Sequence, residues 1–70
     1  NSIAPGLVKT DFAKALWENP EILKSVLGTT PMKRIGEPDE IAGVAVMLAS
    51  DAGNYINGQT IVVDGGTTIA

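Results

Sequence analysis

The segment Gln59-Thr60-Ile61-Val62-Val63-Asp64-Gly65-Gly66 has the makings of a buried strand and its stop. Ile61-Val62-Val63 is a continuous apolar run rather than an alternating one, the pattern of a strand covered on both faces of a parallel sheet. Asp64-Gly65-Gly66 then supplies turn formers. Its glycines follow a strand but open no helix with further glycines, so they end the strand and make no phosphate cradle. Upstream, Asn57-Gly58 admits a tight hairpin turn, but only Tyr55-Ile56 precede it as strand, and the parallel reading is the stronger. A parallel partner has to be reached through a crossover of about a dozen residues or more, usually helical.

Helix signals fill that crossover. Pro38, Asp39 and Glu40 open a helix running to about Ser50, with proline at its first position and acids at the positive end of its dipole. Ile41, Val44, Ala45 and Leu48 form its inward stripe, while Ala42, Val46, Met47 and Ala49 leave nearly every other face apolar as well. Each large aliphatic side chain left in water forgoes ~1.5–3 kcal/mol. This helix therefore needs cover on two sides, from its parent domain or from another subunit. Ahead of it, Arg34 and Glu37 bracket Gly36 and are expected to pair, with an anion site at Arg34 as the alternative. Thr29-Thr30-Pro31 is extended, because the residue before proline is driven out of the helical region.

A second helix is framed by Asn19 as N-cap, Pro20 at its first position, Glu21 in its first turn and Gly28 past its end, with an apolar face of Ile22, Leu23, Val26 and Leu27. Asp11 is placed to cap a short helix through Trp17, which sets Phe12 and Leu16 on one face at an i, i+4 spacing. At the amino end, Ser2-Ile3-Ala4 running into Pro5-Gly6 reads as the end of a strand, since proline cannot donate the next ladder bond.

Seventy residues bury only about 60% of the surface they expose when unfolded, so a self-sufficient core would be marginal. Yet 44% of the residues are apolar and 19% charged, which argues against disorder. With no cysteine and no histidine, disulfides, thiolate or imidazole metal sites and every Cys-His or Ser-His-Asp mechanism within this chain are excluded. No metal site is expected. The net charge of −3, with all basic residues before position 35, argues against nucleic acid or an anionic membrane as a partner. Ile41 to Ala49 falls far short of the ~20 residues that span a bilayer. The lack of cysteine and of an export signature predicts a cytoplasmic protein. The expected fold is α/β, two parallel strands flanking helices. A parallel pair cannot stand alone as a sheet, so the remaining strands are expected from chain outside these residues. The absence of an initiating methionine suggests processing or a fragment.

These residues resemble a known family along nearly the whole chain. Asn1-Ser2-Ile3-Ala4-Pro5-Gly6-Leu7-Val8-Lys9-Thr10 is similar to the Asn-x-Ile/Val-x-Pro-Gly-x-Ile/Val-x-Thr segment of the short-chain dehydrogenase/reductase family. Arg34-Ile35-Gly36-Glu37-Pro38-Asp39-Glu40-Ile41, the long helix, Tyr55-Ile56-Asn57-Gly58-Gln59 and Val63-Asp64-Gly65-Gly66 resemble that family's carboxy-terminal signature, in order and in spacing. Ala4 to Phe12 with Leu16-Trp17 is similar to the carbonyl reductases within the family.

The resemblance implies the C-terminal portion of a Rossmann-type doubly wound parallel sheet, its last two strands plus the intervening helices, in a single NAD(P)-binding domain. It implies NAD or NADP as cofactor and hydride transfer between the nicotinamide and a carbonyl or alcohol carbon of a small-molecule substrate. In the family the glycine-rich dinucleotide turn and the Tyr-x-x-x-Lys pair with its partner serine precede this region. Tyr55 has Gln59 where that lysine would stand, so no catalytic residue is assigned here. To the cofactor the resemblance assigns Pro5, which stiffens the strand exit; Gly6, with no side chain to obstruct a flat ring; the Val8 backbone N–H and C=O, facing the carboxamide; and the Thr10 hydroxyl, bonding the carboxamide or a phosphate. The competing explanation is a Pro-Gly turn followed by a threonine cap. Residues 11–28 resemble the family's mobile substrate lid, in which Phe12, Leu16 and Trp17 wall the substrate or simply pack the helix onto the body. The 38–50 helix and the 59–63 strand correspond to a subunit interface in the family, which implies a homodimer or homotetramer. A non-catalytic interaction module made of those two elements is the alternative function.

Overall fold

The structure, a computed structural model, describes residues 1–69. Strand β1 (Ser2–Pro5) is followed by helices α1 (Lys14–Trp17), α2 (Pro20–Thr29) and α3 (Pro38–Ala49), a 3-10 turn at Asp51–Gly53, strand β2 (Thr60–Val63) and a 3-10 turn at Thr67–Ile69. The strands pair in parallel, with Ser2 opposite Thr60 and Pro5 opposite Val63. The α/β reading and the parallel crossover are thus realised, and Asn57-Gly58 makes no hairpin. Register is locked at the start by Asn1, whose side-chain amide donates to Ile56 O (3.0 Å) and whose side-chain oxygen accepts Gln59 N–H (2.9 Å). At the other end Gly6 N–H donates to Val63 O at 3.0 Å. Since alternate residues of β1 face β2, Pro5 stands where its missing N–H faces away from the ladder.

Several local expectations are corrected. The expected Asp11 cap is absent: α1 is a single turn whose N-cap position is Ala13, with no side-chain cap bond, and ahead of it the Thr10 hydroxyl oxygen accepts Ala13 N–H at 3.2 Å. Phe12 lies before that turn, so it and Leu16 do not share a helical face. Asn19 caps α2 as its position predicts, accepting from Glu21 and Ile22 N–H. Gly28, however, sits inside α2. The stop comes from Thr30 before Pro31, extended at φ −99° and ψ 115°, with its hydroxyl returned to Val26 O at 2.8 Å.

Helix α3 packs on β1. Ile41, Val44 and Leu48 are half-buried as expected, but Ala45 is exposed; Met47 is also half-buried, and the Asp51–Gly53 turn folds back against the backbone of Met47 and Leu48. Strand β2 is not covered on both faces by this chain: Ile61 and Val63 are half-buried, whereas Val62 remains 50% exposed. Among the described residues no apolar side chain is fully buried, and Val46 on α3 is 67% exposed. The Cα trace measures 41 × 26 × 15 Å.

Candidate functional site

Because β1 and β2 run parallel, both of their exits lie at one end: Pro5 to Thr10 leaves β1 and Asp64 to Gly66 leaves β2. The carboxyl end of such strands is where open α/β sheets bind ligands. The two exits touch. A Cβ on Gly6 would stand 2.8 Å from Asp64 Cβ and 2.9 Å from Asp64 Cα, so glycine is needed here for the approach of a neighbouring strand. Asp64 is itself tied down. Its carboxylate accepts Gly66 N–H (2.9 Å), Thr68 N–H (3.0 Å) and the Thr68 hydroxyl. These bonds, the Thr68 hydroxyl foremost, hold its pKa below the ordinary carboxylate value. Gly65 and Gly66 turn the chain at φ +65° and +95°, where a side chain is strained.

Beyond Gly6 the exit loop is fixed from its other side. Gly36 N–H donates to Leu7 O and Lys9 N–H donates to Gly36 O, both at 2.9 Å, forming a parallel bridge centred on Val8 and Gly36. In this pattern the neighbours of Val8 spend their groups on Gly36, and Val8's own N–H and C=O point away from it. The C=O accepts Thr10 N–H at 2.8 Å, while the N–H makes no hydrogen bond among the described residues.

Gly36 is held in turn by α3. Arg34 does not pair with Glu37; its guanidinium forks onto both carboxylate oxygens of Glu40, at 2.6 and 2.8 Å. Glu40 also accepts Glu37 N–H at 2.9 Å, as the third helical residue does in a capping box. The Arg34 fork and the Glu37 N–H together pull the Glu40 carboxyl from 4.5 to about 2, and Glu40 raises Arg34. The alternative of an anion site at Arg34 fails as well, since the guanidinium is taken by Glu40. A carboxyl depressed in the fold stabilises it above its unfolded pKa and loses that contribution as pH falls through its folded one. Arg34→Gln should accordingly lower the melting temperature of the intact protein at neutral pH, with the gap to the parent closing between about pH 4.5 and pH 2. Thermal melts across that range check this, and a pH-independent gap would refute it.

The predicted site residues fall into two groups. Pro5 and Gly6, with Arg34, Ile35, Ile41 and Asp64, line a cleft of about 350 Å³ between the strand ends and α3. Val8, Thr10, Phe12, Leu16 and Trp17 lie outside it. Phe12 is fully exposed and Leu16 is 46% exposed. Trp17 is half-buried: its indole N–H donates to Thr10 O at 2.8 Å and Lys9 Nζ lies 5.2 Å from its ring centroid. Sequence reasoning missed Trp17 as a loop contact, Glu40 as the partner of Arg34, and Asp64 as a cap. Only the last left a local signal, an aspartate ahead of two glycines. Among the described residues no cluster of acids forms a metal site and no helix is long and apolar enough to cross a membrane.

A parallel strand pair joined through helices, with its candidate site at the strand exits, is a piece of a Rossmann-type α/β sheet. Residues 1–68 match the family described as enoyl-(acyl carrier protein) reductase. The chain is 46% identical over 67 residues to dehydrogenase/reductase SDR family member 4 of Bos taurus, covering 96% of this chain and 24% of that protein. Its fold matches a gluconate 5-dehydrogenase from Burkholderia cenocepacia solved with NADP and tartrate (TM-score 0.89, 41% identity, 97% of this chain and 27% of that one). It also matches a 4-hydroxyisoleucine dehydrogenase solved with NADH (TM-score 0.95, 28% identity, 100% of this chain and 29% of that one). The chain belongs to the short-chain dehydrogenase/reductase family, and it spans about a quarter of the length of these relatives.

Proposed function

We propose that these residues are the carboxy-terminal part of an NAD(P)-dependent oxidoreductase acting on a carbonyl or alcohol substrate, and that they form the nicotinamide end of its cofactor site. The observation that carries this is the outward-facing Val8 backbone at the β1 exit, whose N–H makes no hydrogen bond among the described residues and whose C=O keeps a second lone pair after accepting Thr10 N–H, a donor and acceptor side by side as a carboxamide requires. Solved relatives that hold NADP or NADH support it. Pro5 and Gly6 set the path of the loop, Val8 holds the carboxamide, and Thr10 donates its hydroxyl proton, its oxygen being turned to Ala13 N–H as acceptor. Phe12, Leu16 and Trp17 belong to a substrate lid over residues 11–28. The cofactor supplies or accepts the hydride; the acid–base groups lie outside this chain, which alone is inactive.

The test begins with the intact mass of the denatured protein, since a mass near 7.2 kDa would sink the enzyme reading. In the larger protein, Thr10→Ala should raise the KM for NAD(P)H about 5-fold, the worth of one hydrogen bond, in an assay of NAD(P)H oxidation with carbonyl compounds. Unchanged KM and kcat would remove Thr10 from the cofactor site.

The open apolar surface of α3 and β2, including Val46 and Val62, favours a second role. Residues 38–50 and 59–63 form a homodimer or homotetramer interface, and in the absence of the catalytic part this is the function that remains.

A further inference from the structure

Helix α1 is one turn long, and isolated helices shorter than about 12 residues are marginal in water. Something other than its own hydrogen bonds must hold it. The Lys14–Glu18 pair, at 3.5 Å with both side chains more than half exposed, contributes little. Trp17 makes the specific attachments: its indole N–H to Thr10 O, and its ring face to the Lys9 ammonium, a contact in which a cation is drawn to the aromatic quadrupole. Both attachments end on the last two residues of the Pro5–Thr10 loop. Thr10 O also accepts Ala13 N–H at 3.2 Å, so this carbonyl is clasped by two donors while the hydroxyl of the same residue accepts from Ala13.

We propose that Trp17 is a positioning residue for the dinucleotide, fixing Thr10 through its indole N–H, and is not a wall for the substrate. The inference rests on the assignment of Thr10 to the cofactor. A substrate wall needs apolar bulk; a clasp on Thr10 needs the N–H. Phenylalanine separates the two requirements, since it keeps an aromatic face for Lys9 and removes the donor.

In the intact oxidoreductase, Trp17→Phe should raise the KM for NAD(P)H about 3- to 10-fold and leave the KM for the carbonyl substrate unchanged. A Trp17→Phe enzyme with both constants unchanged, or with only the substrate KM raised, would overturn the proposal, and so would an equal rise in both. Thr10→Ala run beside it separates the two levels. If Thr10→Ala raises the cofactor KM and Trp17→Phe does not, the clasp is wrong and the cofactor site stands. If Thr10→Ala changes nothing, the assignment of Thr10 to the cofactor falls, and the clasp proposal with it. Should Trp17→Phe fail to fold, exchange of the Trp17 indole N–H with solvent in the unsubstituted enzyme decides instead: exchange slowed by bound NAD(P)H supports the clasp, and exchange unchanged by it overturns the clasp.

Discussion

A Gly6→Val variant is expected to lose about 3 kcal/mol of stability and to lose cofactor binding with it. At Gly6 even a methyl would meet Asp64 Cβ at 2.8 Å and Asp64 Cα at 2.9 Å, where ordinary contact is 3.4–4 Å. Neither neighbour can yield cheaply. Asp64 is backbone held by the Gly66 and Thr68 bonds to its carboxylate, and Gly6 is pinned by its N–H to Val63 O. The strain must therefore spread the ends of β1 and β2 apart, which moves the loop carrying Val8 and Thr10. Gly28, with nothing within 4 Å of the same position, shows that the constraint is local to the strand exits. Urea unfolding of the intact protein, with NAD(P)H binding followed in parallel, tests this. A variant within about 1 kcal/mol of the parent would mean that the two exits do not approach as closely as described.

The signature residues that identified the family mostly build a frame. Asn1 ties the start of the ladder to Ile56 and Gln59, Gly6 lets the strand exits meet, and Asp64 caps the turn beyond β2. The Arg34–Glu40 fork anchors the loop in which Gly36 turns the Val8 backbone outward. On the proposed reading, what is left to face a ligand is the Val8 backbone edge and the Thr10 hydroxyl. Such a division explains why the motif is long and its chemistry sparse: most of its side chains hold the loop that carries the contact.

What could be read from the chain follows from the range of each interaction. Proline at the first helical position, asparagine before it and acids in the first turn act within four residues, and α2 and α3 begin where those signals place them. The continuous Ile61-Val62-Val63 run reported parallel pairing correctly, because a β2 bonded to β1 carries its apolar side chains toward both faces even where this chain covers only one. Errors arose where two local signals compete or a contact is remote. Gly28 looked like a stop, but Thr30 before Pro31 is the stronger one. Glu37 was nearer to Arg34 in sequence, yet Glu40 is the acid that turns back from the first turn of α3. Asp11 had the right chemistry for a cap, while the bond from Thr10 N–H to Val8 O bent the chain so that Thr10 reached Ala13 first. The clasp of Trp17 on Thr10 has no periodic signature, and the direction of the Val8 backbone depends on Gly36, 28 residues away.

At the opposite end of the strands, Gly53→Ala should cost about 2–3 kcal/mol of stability without changing cofactor affinity. Gly53 is buried, and a Cβ there would stand 2.6 Å from Met47 O, 2.9 Å from Leu48 Cα and 3.1 Å from Leu48 O. All three atoms are backbone of the last turn of α3, so no side chain can rotate to make room, and small-to-large changes against fixed backbone typically cost 1–3 kcal/mol. Gly53 is also held on both sides, donating to Ser50 O and accepting from Ile56 N–H, each at 3.0 Å. Relief has to come from lifting the end of α3 away from the Asp51–Gly53 turn. Ala45, Leu48 and Ala49 of that end share an open recess with Asn1, Ser2 and Ile3, at the start of β1 and away from its exit. Gly6→Val is thus expected to remove stability and cofactor binding together, whereas Gly53→Ala removes stability alone. Denaturant midpoints and the KM for NAD(P)H, measured on both variants of the intact protein, separate these outcomes. An unshifted midpoint for Gly53→Ala would place the turn away from α3, and a raised cofactor KM would mean that α3 transmits strain along its length to Glu40 and, through Arg34, to the loop that holds Val8.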